Sequence, residues 1–374
     1  MKISILQENL KNGLFTVAHI ASKNVNLPIL NNIMIEASNG NIKLVSTNLE
    51  VGITSLVRGK IEKEGGFTVE SKVFFDFISL LPNQKVDIEL KDNKLLIQSG
   101  DYKTTIKGQS TEDFPLIPII NDNDFFEANL EDFRKALTQV VFAVSTSESR
   151  IELSGVLFQF LNNKLIMAAT DSFRLAEKEI IIKTKKQEDK NIIIPAKTLQ
   201  ELIRILSSVK LENLEESNKI KFFVSDNQIM FKIGNTEMMS RLIEGQYPDY
   251  KQIIPNGTET TVIVDRNELI RAIKAASIFS KAGINDVNLD FPLGKNKMVI
   301  SSTSSQMGDN ITNLDAQVSG KDNGVTVNFR YLIDGLNNIN SENIKLEIIN
   351  NNTPCILKAE NDYTYFYIIM PIKK

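Results

Sequence analysis

The feature that most constrains this chain is that it repeats one template three times, at a spacing of domain size. The stretch ENLKNGLFTVAHIAS near the start puts Leu10, Leu14, Val17 and Ala21 on one helical face. The template returns as EDFRKALTQVVFAVS, with Phe133, Leu137, Val140 and Val144, and again as NELIRAIKAASIFS, with Leu269, Ile273, Ala276 and Ser280. A second helix recurs as SKVFFDFISLLPN, PAKTLQELIRILSS and NFRYLIDGLNNIN, in which Phe74, Leu199 and Leu332 correspond, as do Leu81, Leu206 and Ile339. Three strand and turn segments, NIKLVSTNLEVGI, KLIMAATDSFRLA and KMVISSTSSQMGD, align so that Thr47, Thr170 and Thr303 coincide.

Each copy therefore reads as a helix, alternating strands, a second helix and more strands. Short turns between strands make them antiparallel, so the expected class is α+β in triplicate, with two helices packed on antiparallel sheets in each domain. The stretches GQSTEDFPLIPIINDND and YPDYKQIIPNGTET, rich in Pro, Asn, Asp and Gly, read as linkers. They divide the chain into domains at 1–121, 122–253 and 254–374, which a length of 374 residues accommodates.

Several function classes lose support. His19 is the only histidine and Cys355 the only cysteine, so no His/Cys metal cluster can form, and a Ser-His-Asp triad would have to use His19, whose setting TVAHIAS reads as helix. Neither GxxxxGK[ST] nor GxGxxG occurs. We expect no catalytic residue, no metal and no cofactor. No apolar run approaches the roughly 18 residues of a membrane span, and the start MKISILQENLKNG lacks the apolar core of a signal peptide. With a single cysteine, this points to a cytoplasmic protein with no membrane partner.

The tetrad in ATDSFRLA poses a question of its own. A Thr-Asp or Thr-Asn turn at matching places in two copies is first a structural turn, the side chains bonding their own backbone. Phe173 and Arg174 are unlike their counterparts Glu50 and Val51, so copy two does something particular here. Charge is also uneven. The chain is −3 overall, yet the six helical segments, with Arg266 and Lys281 flanking the fifth, carry eleven basic residues against seven acidic ones. That pattern fits either ordinary solvated helix faces or a mildly basic surface that attracts a phosphate backbone without reading bases.

ATDSFRLA in the second domain, YFYIIMPIKK closing the third, LPILNNIMIEA and STNLEV in the first, and RIELSGVLF and YPDYKQIIP around the second occur in order along the whole chain. Together they resemble the bacterial sliding-clamp family, the beta subunits of DNA polymerase III. The resemblance implies a head-to-tail homodimer closed into a ring, helices lining the hole, that encircles double-stranded DNA without sequence preference. It implies as partners the polymerase III alpha subunit, the clamp loader, and repair polymerases and other proteins that carry a clamp-binding peptide. The peptide groove it implies comprises Leu153, Thr170, Ser172, Phe173, Arg174, Leu175, Pro248, Ile253, Ile368, Ile369, Met370, Pro371 and Ile372, with Arg150 and Pro354 at its margins. Within it, Thr170 and Arg174 are expected to supply polar anchoring. DNA contacts are expected from Lys23, Lys72, Lys197, Arg204, Arg271 and Lys274, and the ring interface from Thr104, Ile106, Ile278 and Phe279. The chain departs from the family pattern at Ser172-Phe173, where Gly-His is usual, at Gln252, where an Arg can occur, and at its Lys373-Lys374 end. A carboxylate-based hydrolase and a scaffold that binds only proteins are the competing readings; for the first, no acidic pair stands out.

Overall fold

The computed structural model describes residues 1–21, 26–118, 120, 124–147, 149–184, 189–208, 218–281 and 283–373. Among these, the six α-helices fall two to a copy: α1 (Gln7–Ala18), α2 (Ser71–Leu80), α3 (Leu130–Val141), α4 (Ala196–Ser208), α5 (Arg266–Ser277) and α6 (Phe329–Asn337). Their apolar stripes are in the core as the 3.6-residue period requires. Leu10, Leu14, Val17, Phe133, Leu137, Val140, Leu269, Ile273 and Ala276 are all buried completely. Side-chain caps start four of them: Glu70 accepts from Val73 N (2.6 Å) at α2, Asn129 from Glu131 N (3.0 Å) at α3, Asp265 from Glu268 N (2.7 Å) at α5, and Asn328 from Arg330 N (2.9 Å) at α6.

The chain forms two compact units. The first holds Met1–Glu131, Lys183–Gln187 and Gln200–Leu242; the second holds Asp132–Ile182, Glu188–Leu199 and Ile243–Lys374. One sheet of 14 strands runs through the first and one of 12 through the second. In the first sheet the strand Thr236–Arg241, last of copy two, pairs with Val51–Val57 of copy one. In the second, Tyr365–Ile369, last of copy three, pairs with Arg174–Ile181 of copy two. The repeat is thus also a rule of assembly: the last strand of one copy binds the strand that follows the Thr turn in the copy before it.

Two expectations are corrected at this level. Ile106 is only 7% exposed and stands opposite the fully buried Leu95, so its side chain belongs to the core of the first unit and not to an external contact. In copy three the turn is anchored by Ser304, not Thr303: Ser304 Oγ accepts from Gln306 N and Met307 N, and Thr303 is exposed. The strand Lys297–Ser304 is one residue longer than Lys164–Thr170, which moves the turn one place along.

Candidate functional site

The turn after Lys164–Thr170 is built by its own polar side chains. Thr170 Oγ1 donates to Arg174 O (2.6 Å) and accepts from Ser172 N (3.1 Å), while Asp171 Oδ1 accepts from Phe173 N (2.9 Å) and Arg174 N (3.0 Å). Copy one repeats this with Thr47 and Asn48: Thr47 Oγ1 bonds Val51 O and Leu49 N, and Asn48 Oδ1 accepts from Glu50 N and Val51 N. The third turn residue is left-handed in both, with φ of 79° at Ser172 and 75° at Leu49. Thr170 is 5% exposed and its hydroxyl is committed to the turn, so it is not a free anchor for a ligand. The turn lifts Phe173 outward, 60% exposed.

Arg174 is corrected as well. Its Nε donates to Asp171 Oδ2 (3.0 Å), Nη1 to Asp334 Oδ2 (2.5 Å) on α6 and Nη2 to Phe142 O (3.0 Å), and the guanidinium lies over the rings of Tyr331 (4.7 Å) and Phe142 (5.5 Å). With its side chain 11% exposed, it clamps the turn onto α6 and the chain after α3 and offers little to a ligand. Phe173 in turn lies near-parallel to Tyr331, ring centroids 6.5 Å apart. α6 comes close enough to the last strand for this because position 335 is glycine: a Cβ there would stand 2.3 Å from the Tyr367 ring.

The last strand completes the site. Arg174 stands opposite Ile369 and Leu175 opposite Ile368; then Met370 N donates to Phe173 O (2.9 Å) and Ile372 N to Thr326 O (2.8 Å). These bonds bring the turn and the tail Met370, Pro371 and Ile372 together. Beneath them is a buried cluster that includes Leu153, Leu157, Leu175, Ile356 and Ile368, on which Tyr247 and Tyr250 pack. Leu153, Leu175 and Ile368 are therefore floor, not contact surface, while Ile369, also buried, takes the alternate face of its strand opposite Arg174. Pro248, Pro354, Met370, Pro371 and Ile372 are half-buried, and Ile253, Ser172 and Arg150 are exposed. Arg150 Nη1 donates to Ser172 Oγ (3.2 Å) and Nε to Glu152 Oε1 (3.0 Å), placing a cation at the rim.

Sequence reasoning missed Tyr247, Tyr250, Tyr331 and Asp334. Tyr247 Oη accepts from Thr170 N (3.1 Å) and Tyr250 Oη donates to Glu177 Oε2 (2.5 Å), so both apply an apolar ring and a polar tip to the sheet. The YPDY spacing was the available signal for them; Tyr331 and Asp334 had none beyond a helix surface position. Burial pushes the Glu177 carboxyl above its ordinary range, against the Tyr250 hydrogen bond, which lowers it. The folded chain thus holds that proton more tightly than the unfolded one. The contribution is complete below the ordinary carboxylate pKa and is lost as pH rises through the raised value. Glu177→Gln keeps an acceptor for Tyr250 without the charge. It should raise the thermal midpoint at pH 8 relative to the parent and change it little at pH 4, as measured by calorimetry at both.

Models of the DNA polymerase III beta subunit match this chain in order: its N-terminal domain at residues 1–118, its central domain at 127–249 and its C-terminal domain at 251–373. The chain belongs to this family. It is 32% identical to the beta sliding clamp of Staphylococcus aureus over 362 residues, 94% of each chain. Among solved structures it resembles the DNA polymerase sliding clamp of Bacillus subtilis (27% identity, TM-score 0.92, 100% of this chain and 99% of that one) and the DNA polymerase III beta subunit of Thermotoga maritima (25%, 0.91, 100% and 99%). The sliding-clamp family is a non-catalytic processivity subunit of a polymerase.

For a member of this family the basic helix residues come next. Lys72 on α2, Lys197 on α4, and Arg271 and Lys274 on α5 are exposed, Arg271 sharing an ion pair with Glu268 (3.3 Å). Arg204 differs from its expectation: it donates to Phe15 O (2.9 Å) and Thr16 O (3.0 Å) at the end of α1 and to Glu201, and lies over the Phe15 ring. It caps a helix, and its donors are not free for phosphate. Glu201 also meets His19 Nδ1 at 2.6 Å. Lys23 lies outside the described residues. Of the interface set, Ile278 is 65% exposed while Thr104 and Phe279 are half-buried. Among the described residues no helix is long and apolar enough to cross a membrane.

Proposed function

We propose that two copies of this chain, each with domains at 1–121, 122–253 and 254–374, close head to tail into a ring around duplex DNA in the cytoplasm. The ring tethers the polymerase III alpha subunit, the clamp loader and repair polymerases through peptides held in the groove of the second unit. The observation that carries this reading is a pair of unmatched strand edges. By the assembly rule of the repeat, the last strand of copy one, Tyr102–Gln109, needs a strand that follows a Thr-type turn, and Gly308–Gly320 of copy three needs a last strand. Among the described residues, 102–107 pair only with Lys94–Ser99, and 308–315 only with Lys297–Ser304. A second copy supplies both missing partners by the same rule that operates twice within the chain, and two such junctions close. Apolar side chains stand exposed beside these edges: Tyr102 on one, and Ile278, Met307 and Ile311 by the other.

Ile278→Ala combined with Phe279→Ala should therefore shift the dimer towards monomer. A double variant that stays fully dimeric at submicromolar concentration in sedimentation would sink the assignment of that edge.

Encirclement explains why a chain of net charge −3 needs no strong DNA site. A closed ring cannot leave sideways, so a few exposed cations such as Lys72, Lys197, Arg271 and Lys274 give weak, sequence-independent attraction that permits sliding. A tethered polymerase then gains a high effective concentration at the primer end. The test is retention on primed circular DNA with loss from linear DNA. A protein-only scaffold would show neither, and binding that ignores DNA ends would refute the ring.

A further inference from the structure

The same strand register that builds the groove floor in the second unit builds a second floor in the first. In the second unit Leu157 is the cross-strand partner of Ala168, and Leu175 of Ile368, which is in turn the partner of Ile356; Leu175 lies diagonal to Ala168, two places along from Glu177, the partner of Ala168. The register of the first unit puts Met34, Val45, Gly52, Met239 and Met230 in those same five positions. The floor in the second unit is covered by Tyr247 and Tyr250, the latter bonding Glu177 and Gln159 through its hydroxyl. The floor in the first unit is crossed by Ile117, which packs directly on Gly52, with the next residue on its N-terminal side, Leu116, 95% exposed. Among the described residues no tyrosine descends there. Thr54 and Glu36 occupy the places of Glu177 and Gln159, and an open cavity of about 1260 Å³ lies over Met34, Val45, Met230 and Met239. Its rim is weakly acidic, since Lys232 is paired with Glu237 (2.8 Å) and leaves Glu36 and Glu64 facing Lys43. The rim of the other groove carries Arg150, itself paired with Glu152 (3.0 Å).

We propose that this cavity is a second peptide-docking groove, and that its occupant is a short linear segment of a partner protein bearing an aromatic anchor, tyrosine above all, flanked by lysine. The inference rests on reading the second unit's groove as a peptide site. Methionines make an adaptable apolar floor, the guest ring takes the room that Tyr250 fills in the other unit, and its hydroxyl or the lysine reaches Glu36.

The test is a titration of the full-length dimer, labelled at methionine methyls, with an eight-residue peptide carrying one tyrosine between lysines. Saturable shifts of the Met34, Met230 and Met239 signals are expected, with affinity about threefold weaker for a version flanked by glutamates, the size of an exposed ion pair. Thr54→Trp, a half-buried outward position on a strand, should fill the cavity and abolish those shifts. Shifts confined to Met370 would overturn the second groove and leave the first standing. If the lysine peptide shifts nothing and a peptide with a Gln and a Leu-Phe end also fails to shift Met370, both readings fall. Shifts at the three methionines that survive Thr54→Trp would place the binding elsewhere and overturn the proposal.

Discussion

Arg174→Ala should cost the second unit about 3 kcal/mol and lower its thermal midpoint by about 6–12 °C. The argument is one of geometry. The guanidinium satisfies a carboxylate on the turn, a carboxylate on α6 and the carbonyl of Phe142 at once, and its two faces cover Tyr331 and Phe142. Removal leaves Asp171, 13% exposed, without its cation and opens a gap between two rings. The estimate sits at the low end for a broken buried pair because Asp334 is 47% exposed and can turn to water. Arg174→Lys should recover only part of the loss, since an ammonium cannot present the planar fork that reaches three acceptors. Calorimetry of the full chain reads the stability, and hydrogen exchange along Arg174–Ile181 localises it. A variant with parental stability but weakened peptide capture would return Arg174 to the role of a peptide anchor.

That contrast shows where sequence reading works on this chain and where it stops. The helix stripes are legible because the period that places Leu10, Leu14 and Val17 on one face is the same that buries them. The Thr turn is legible because its bonds join residues two to four apart. Arg174 is not, because two of its acceptors lie 160 and 32 residues away, and nothing local distinguishes a pinned arginine from an available one. Arg204 fails in the same way: it occupies a polar helix position, but its carbonyl acceptors belong to α1. Ile106 could have been read correctly. It is the only apolar side chain in YKTTIKG that alternates with polar neighbours, the mark of a strand with one buried face. The location of the groove came through the resemblance; the division into buried floor and exposed wall needed the register of Arg174–Ile181 on Tyr365–Ile369.

The register also fixes what the tail does. Deleting residues 370–374 should lower affinity for a partner peptide by roughly thirtyfold, on the order of 2 kcal/mol, while the dimer persists. The last strand ends at Ile369, so its pairing with Arg174–Ile181 and with Cys355–Ala359 survives the cut. What goes is Met370, whose amide is bonded to Phe173 O, together with Pro371 and Ile372, whose amide is bonded to Thr326 O. These three half-buried residues line the site beside Phe173, and an anchor pocket that loses a wall loses both contact area and the exclusion of water around the remaining contacts. Phe173→Ala should weaken binding less: the ring is mostly exposed and trims one side of a pocket whose floor and tail remain. The measurement is a titration of a fluorescent peptide carrying a Gln and a Leu-Phe end against parent, truncated and Phe173→Ala proteins, with sedimentation to follow the dimer. Parental affinity in the truncated protein would detach the tail from the groove, and Thr170–Arg174 would then be a strand turn and nothing more.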